Sequence, residues 1–135
     1  MTHQTFESTP HAASDTRTWE VLCHLSALLM LIGIPFGNIF GPLIVWLIKR
    51  GDSPSVDEYG KESLNFQISL LIYLAVATAV TALLSLILIG LLLWPLLIIA
   101  FIIWPVLDLI LVIVASIKAG NGEFYRYPLT LRLLR

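Results

Sequence analysis

Residues 64–107 read LNFQISLLIYLAVATAVTALLSLILIGLLLWPLLIIAFIIWPVL and contain no Asp, Glu, Lys, Arg or His. One continuous helix of this length would measure about 66 Å, whereas the hydrocarbon core of a bilayer is about 30 Å thick. The stretch is therefore expected to cross a membrane twice. The turn is expected at residues 90–95, because Pro95 has no amide hydrogen and the Trp94 ring favours a headgroup boundary. The sequence thus predicts a transmembrane hairpin.

The composition of the whole chain fits a small integral membrane protein. Of its 135 residues 58% are hydrophobic and 13% are charged, about half the charged fraction of a soluble domain. The net charge of -1 and the absence of a Lys/Arg run exclude an evident nucleic-acid partner. Cys23 is the only cysteine, which excludes an internal disulfide and a thiolate metal site.

The chain before the hairpin divides into two parts. Residues 1–18 are polar and poor in large apolar side chains, which predicts a disordered tail. Residues 21–48 lack formal charges but contain Gly and Pro at their centre, and broken backbone at the midplane needs protein around it. We favour a hairpin of two short helices, about 19–32 and 39–50, with its turn towards the far interface or re-entrant. One broken span is the alternative.

These observations predict an all-α integral membrane protein of four helices, a short broken hairpin followed by a long transmembrane hairpin. The membrane domain covers residues 19–122, between the N-terminal tail and a basic aromatic interfacial tail at 123–135. Lys and Arg concentrate in the loop at 49–62 and in the C-terminal tail, whereas residues 90–95 have none. This bias predicts that both termini and the 49–62 loop lie in the cytoplasm. A single first span would instead place the N-terminus outside.

Asp108 is the strongest candidate for a functional residue, because a carboxyl group near mid-membrane costs roughly 2.5 to 3.5 kcal/mol to insert. Such a group normally faces the helix bundle and has a partner. We predict an intramembrane polar cluster of Asp108, His24, Asn65 and Gln67, which either handles a proton, an ion or a polypeptide, or only holds the helices together. No hydrolase, metalloprotease or phosphate-loop motif is present, so we predict no catalytic residue, metal or cofactor.

Two further sets of residues are candidate contact surfaces. Small side chains recur along one face of the third helix and indicate close helix packing, within this chain or between copies. The arginines of the C-terminal tail suit contacts with lipid headgroups, although the tail could also dock on the bundle. The packing face consists of Ala75, Thr78, Ala79, Ala82 and Ser85, and the arginines are Arg126, Arg132 and Arg135.

Four blocks of sequence resemble the motifs of a bacterial membrane family of unknown function. The blocks are CHLSAL at 23–28, PFGNIFGPLIVWLIKR at 35–50, GKESLNFQIS at 60–69 and GNGEFYRYP at 120–128. That family is similar to the twenty-kilodalton Tic component of the chloroplast inner-envelope import machinery. The resemblance implies a multi-pass, four-helix protein of the bacterial cytoplasmic (inner) membrane with both termini on one side, and a role connected with protein translocation.

The leading functional hypothesis is a non-enzymatic subunit or interaction partner in a membrane complex. Its expected partners are the lipid bilayer and other membrane proteins or further copies of itself. The first alternative is a small proton- or ion-linked transporter or channel that uses Asp108. The second is a lipid-active protein that uses the basic tail.

Overall fold

A computed structural model describes residues 10–135, and side chains from residue 13 onwards. These residues form four α-helices, which confirms the predicted all-α fold. They are α1 (Pro10–Leu25), α2 (Gly37–Lys49), α3 (Pro54–Ser85) and α4 (Trp94–Gly120), with 3-10 segments at Ser26–Ile32 and Ile89–Leu92.

The long hairpin is formed by α3 and α4, as expected from residues 64–107. Two helical segments, Pro54–Ser85 and Ile89–Gly120, are long and apolar enough to cross a membrane. Most apolar side chains between residues 71 and 111 are exposed, as lipid-facing side chains would be. The turn between the helices contains Leu88 in a left-handed conformation, with φ 65°, and Pro95 lies in the first turn of α4.

The packed part of the molecule lies at the opposite, polar end of this hairpin. There α1 packs against α2, α3 and α4. Most buried side chains come from α1, from α2, from the first half of α3 and from the end of α4. Cys23, Val56, Tyr59 and Ala119 form one buried cluster, and Phe66, Leu70, Ala115 and Tyr127 form a second.

The first apolar stretch is a hairpin, but its turn does not reach the far interface. The Asn38 side chain, at the start of α2, donates a hydrogen bond of 2.9 Å to Gln67 Oε1. Gln67 lies about 27 Å along α3 from the end of that helix at Ser85. The hairpin therefore stops beside the middle of α3, as a re-entrant hairpin would, because α2 is only about 20 Å long and begins there. We call residues 26–49 the re-entrant hairpin.

The predicted N-terminal tail is wrong for residues 10–18, which belong to α1; residues 1–9 lie outside the described residues. Pro10 suits the first turn of a helix, where a missing amide hydrogen costs nothing. Further along α1, Glu20, Cys23 and His24 form a buried stripe against the other helices. This packing stabilises a segment whose polar composition alone indicated disorder.

Two close approaches hold the re-entrant hairpin in place. A Cβ added to Gly41 would clash with the backbone oxygen of Ser26. A Cβ added to Gly60 would clash with the ring of Trp46, whose Nε1 donates a 2.8 Å hydrogen bond to Asp57.

The C-terminal tail docks on α3, which is the second of the two alternatives for this segment. The Tyr127 amide donates to Glu62 Oε1 at 2.7 Å, and the Leu134 amide donates to Asn65 Oδ1 at 2.7 Å. Tyr73, which lies further along α3 than Asn65, donates to the carbonyl of Leu129, which precedes Leu134 in the tail, at 2.6 Å. Residues 129–134 therefore run antiparallel to α3.

Candidate functional site

A chain of three hydrogen-bonded side chains joins α2, α3 and α4. Asn38 donates to Gln67 Oε1, and Gln67 Nε2 donates to Asp108 Oδ1, both at 2.9 Å. Among the described residues, Gln67 alone hydrogen-bonds to Asp108. We call these three residues the polar chain. It connects the tip of the re-entrant hairpin to both spanning helices.

The polar chain borders a cavity of about 570 Å³ between the re-entrant hairpin, α3 and α4. Asn38 and Asp108 lie in its wall, and most of the other lining residues are apolar or aromatic. Phe36 and Phe101, which also line it, are 57% and 47% exposed, so the cavity is reached from the molecular surface. Both ends of the polar chain thus border a space that a membrane-soluble molecule could enter.

His24 lies in a separate hydrogen-bonded pair. Its Nδ1 is 3.0 Å from the Tyr127 hydroxyl, and its ring contacts the ring of Tyr59 edge-on. The ring is fully buried, and this burial lowers the pKa of His24 to about 4. The pKa of the neighbouring Cys23 thiol is raised to about 12 by burial, with a smaller contribution from Glu20. At neutral pH, therefore, His24 carries no charge and Cys23 is an unreactive thiol.

Asn65 also lies apart from the polar chain, on the surface of α3 that receives the tail. Its side chain donates to the Leu134 carbonyl at 2.9 Å and accepts from the Leu134 amide. Of the four residues predicted to form one cluster, hydrogen bonds join only Gln67 and Asp108. His24 and Asn65 hydrogen-bond to the C-terminal tail instead.

Asn38 is the member of the polar chain that the sequence analysis missed. The sequence does mark it as a candidate, since Asn38 is the one amide side chain in the apolar stretch 21–48. However, the nearby Gly37 and Gly41 suggested that Asn38 belongs to a turn. Its hydrogen bond to Gln67 depends on how far the hairpin extends along α3.

The predicted packing face on α3 is largely uncovered. Ala75, Ala79 and Ala82 are exposed, whereas Thr78 and Ser85 are half-buried. The hydroxyls of Thr78 and Ser85 donate to carbonyls of their own helix. Packing within this chain therefore does not explain the alanines, and a contact with another copy stays a prediction.

The three tail arginines line one depression, and two of them make further contacts of different kinds. Arg132 pairs with Glu62, which is buried, and Arg126 lies over the Phe124 ring. Arg135 lines a polar depression of about 300 Å³ that the other two arginines also line. Their contact with lipid headgroups stays a prediction. In residues 10–135 no group of three or more His, Cys, Asp or Glu side chains could hold a metal ion.

The fold and the polar chain define this chain as a small all-helical protein of membrane type, with two helices that could span a membrane and a shorter hairpin joined to both of them. It belongs to the magnetosome magnetite crystal formation protein family (MamF/MmsF), which it matches over residues 15–134. No curated protein and no solved structure matches it. The family match lends no support to the expected resemblance to the Tic component or to a role in protein translocation.

Proposed function

We propose that this chain is a non-enzymatic protein of a magnetosome membrane that takes part in magnetite crystal formation. The observation that carries the proposal is the family match over residues 15–134, which covers the whole helical bundle. Two long apolar helices support a location in the membrane.

The distribution of charge suggests how such a protein would act. Under the positive-inside rule, the 49–62 loop and the C-terminal tail face the cytoplasm and the turn at residues 86–94 faces the lumen. That turn contains no Asp or Glu. The chain would therefore influence the crystal through other membrane proteins or through the composition of the membrane. Carboxyl groups that bind the mineral would have to come from other proteins.

Deletion of the gene in its native host tests the proposal. We expect crystals of altered size or shape by electron microscopy, restored by the wild-type gene on a plasmid. A fluorescent fusion should co-purify with the magnetosome fraction. Unchanged crystals in the deletion strain, or a fusion confined to other membranes, would contradict the proposal.

A second candidate function, proton- or ion-linked transport, is favoured by the setting of Asp108. This residue lies within α4, borders the cavity and has a single hydrogen-bond partner among the described residues. In reconstituted vesicles that contain a pH-sensitive dye, the wild-type protein should then dissipate a proton gradient and Asp108→Asn should not. The exposed Asp52→Asn variant is the matched control. Equal decay in protein-free vesicles would dismiss this candidate.

A further inference from the structure

The cavity beside the polar chain has the properties of a binding site for a small molecule. Its volume of about 570 Å³ lies in the range of ligand pockets, which are mostly apolar with a few placed polar groups. Asn38 and Asp108 supply those polar groups. Because the cavity lies between membrane-embedded segments, its ligand would arrive through the lipid.

The hydrogen-bonding capacity at the cavity favours a ligand that donates. Gln67 uses Asp108 Oδ1, and no described residue donates to Asp108 Oδ2. Asn38 gives its amide hydrogen to Gln67, and no described residue donates to its carbonyl oxygen. Two acceptor oxygens therefore stand at the cavity wall with capacity for a hydroxyl group.

Aromatic rings form a further part of the lining. Phe36 at the tip of the re-entrant hairpin, and Phe101 and Trp104 on α4, all border the cavity. Aromatic side chains interact favourably with another ring in offset or edge-to-face arrangements, beyond the gain from buried area. A ring-bearing head group would use this lining better than an acyl chain.

We propose that the cavity binds a quinol-type lipid, in which an aromatic ring with hydroxyl groups is attached to an apolar tail. One hydroxyl donates to the free oxygen of Asp108, the ring packs among Phe36, Phe101 and Trp104, and the tail leaves between α3 and α4 into the bilayer. The proposal concerns binding alone. It is independent of the role in magnetite formation.

Photocrosslinking tests this site in lipid nanodiscs that contain the full chain. The probe is a short-tailed quinol that carries a diazirine on its tail, and mass spectrometry maps the labelled peptide. We expect label on α3 or α4 beside the cavity and competition by unlabelled quinol. A monoacylglycerol of equal tail length should compete at least about tenfold more weakly, because it lacks the ring.

Two variants distinguish the cavity from the rest of the lipid-facing surface. Leu74→Trp fills the cavity and should abolish specific labelling, whereas Leu83→Trp, at an exposed position on the same helix, should not. Asp108→Leu removes the acceptor and should weaken binding at least about tenfold. Since leucine inserts into a membrane more easily than aspartate, the variant is expected to assemble, which circular dichroism checks.

Three outcomes would overturn the proposal. They are equal competition by the monoacylglycerol, equal labelling of Leu74→Trp and Leu83→Trp, and undiminished affinity in a helical Asp108→Leu protein. Crystal size in the native host has no bearing on these results, so this inference and the proposed function fail separately.

Discussion

At the residue scale, His24 gives a prediction about pH. Burial lowers its pKa from 6.5 to about 4. Between these values the unfolded chain binds a proton that the folded chain does not, so stability falls as the pH falls. From pH 7 to pH 5 we expect a loss of about 2 kcal/mol from this residue alone.

Thermal unfolding of the detergent-solubilised protein at both pH values measures this loss. His24→Gln keeps a group that can hydrogen-bond to Tyr127 and removes the titration, so its loss on acidification should be smaller by that amount. Tyr127 and Tyr59, which contact His24, and Cys23 and Glu20 on the same helix are titratable, and all four are present in both proteins. Equal losses in the two proteins would show that another group is responsible.

The same scale shows what the sequence could reveal of the site. Asp108 was identifiable because a lone acid in an apolar helix is costly to insert into a membrane. Gln67 was identifiable as a partner because it is one of the two amide side chains on the preceding helix. The partners of His24 and Asn65 were not predictable. They lie 103 and 69 positions away in sequence, on a tail without regular structure.

At the scale of elements, the re-entrant hairpin depends on the absence of a side chain at Gly41. An added Cβ would meet the backbone oxygen of Ser26, which cannot move without parting α2 from the preceding segment. Gly41→Ala should therefore destabilise the protein by about 1 to 3 kcal/mol. Gly51→Ala, with open space at the added Cβ, is the matched control and should have little effect. Similar unfolding midpoints for the two variants would argue against this close packing.

The docked tail is a second element whose stability can be tested. Glu62 is buried, accepts the Tyr127 amide and pairs with Arg132. In Glu62→Ala the tail should open more often, so trypsin should cleave after Arg126 or Arg132 at least about tenfold faster. Glu58→Ala, an exposed position one turn earlier, should be cleaved like the wild type. Unchanged cleavage of Glu62→Ala would mean that other contacts hold the tail.

At the scale of the whole molecule, the composition predicted the long apolar helices correctly. It did not predict the positions of segments that are fixed by contacts between helices. The charge-free stretch at 64–107 predicted two spans, and α3 and α4 are long and apolar enough to cross a membrane. The depth of the first hairpin could not be predicted, because it is defined by the contact of Asn38 with Gln67. Likewise, the packing of α1 against three other helices could not be predicted from its polar composition.

The arrangement in the membrane gives the last prediction, to be tested with single cysteines in a Cys23→Ser background. Cysteines at Asp52 and Asn121 lie at the polar end, and one at Leu88, which is 72% exposed, lies at the opposite turn. An impermeant maleimide should label the first two from the cytoplasmic side and the third from the other side only. A cysteine at Asn38 should label from neither side, because the tip of the re-entrant hairpin ends beside the middle of α3. Labelling of Asn38→Cys together with Leu88→Cys would mean that the first hairpin crosses the membrane, and the polar chain could not then lie at mid-span.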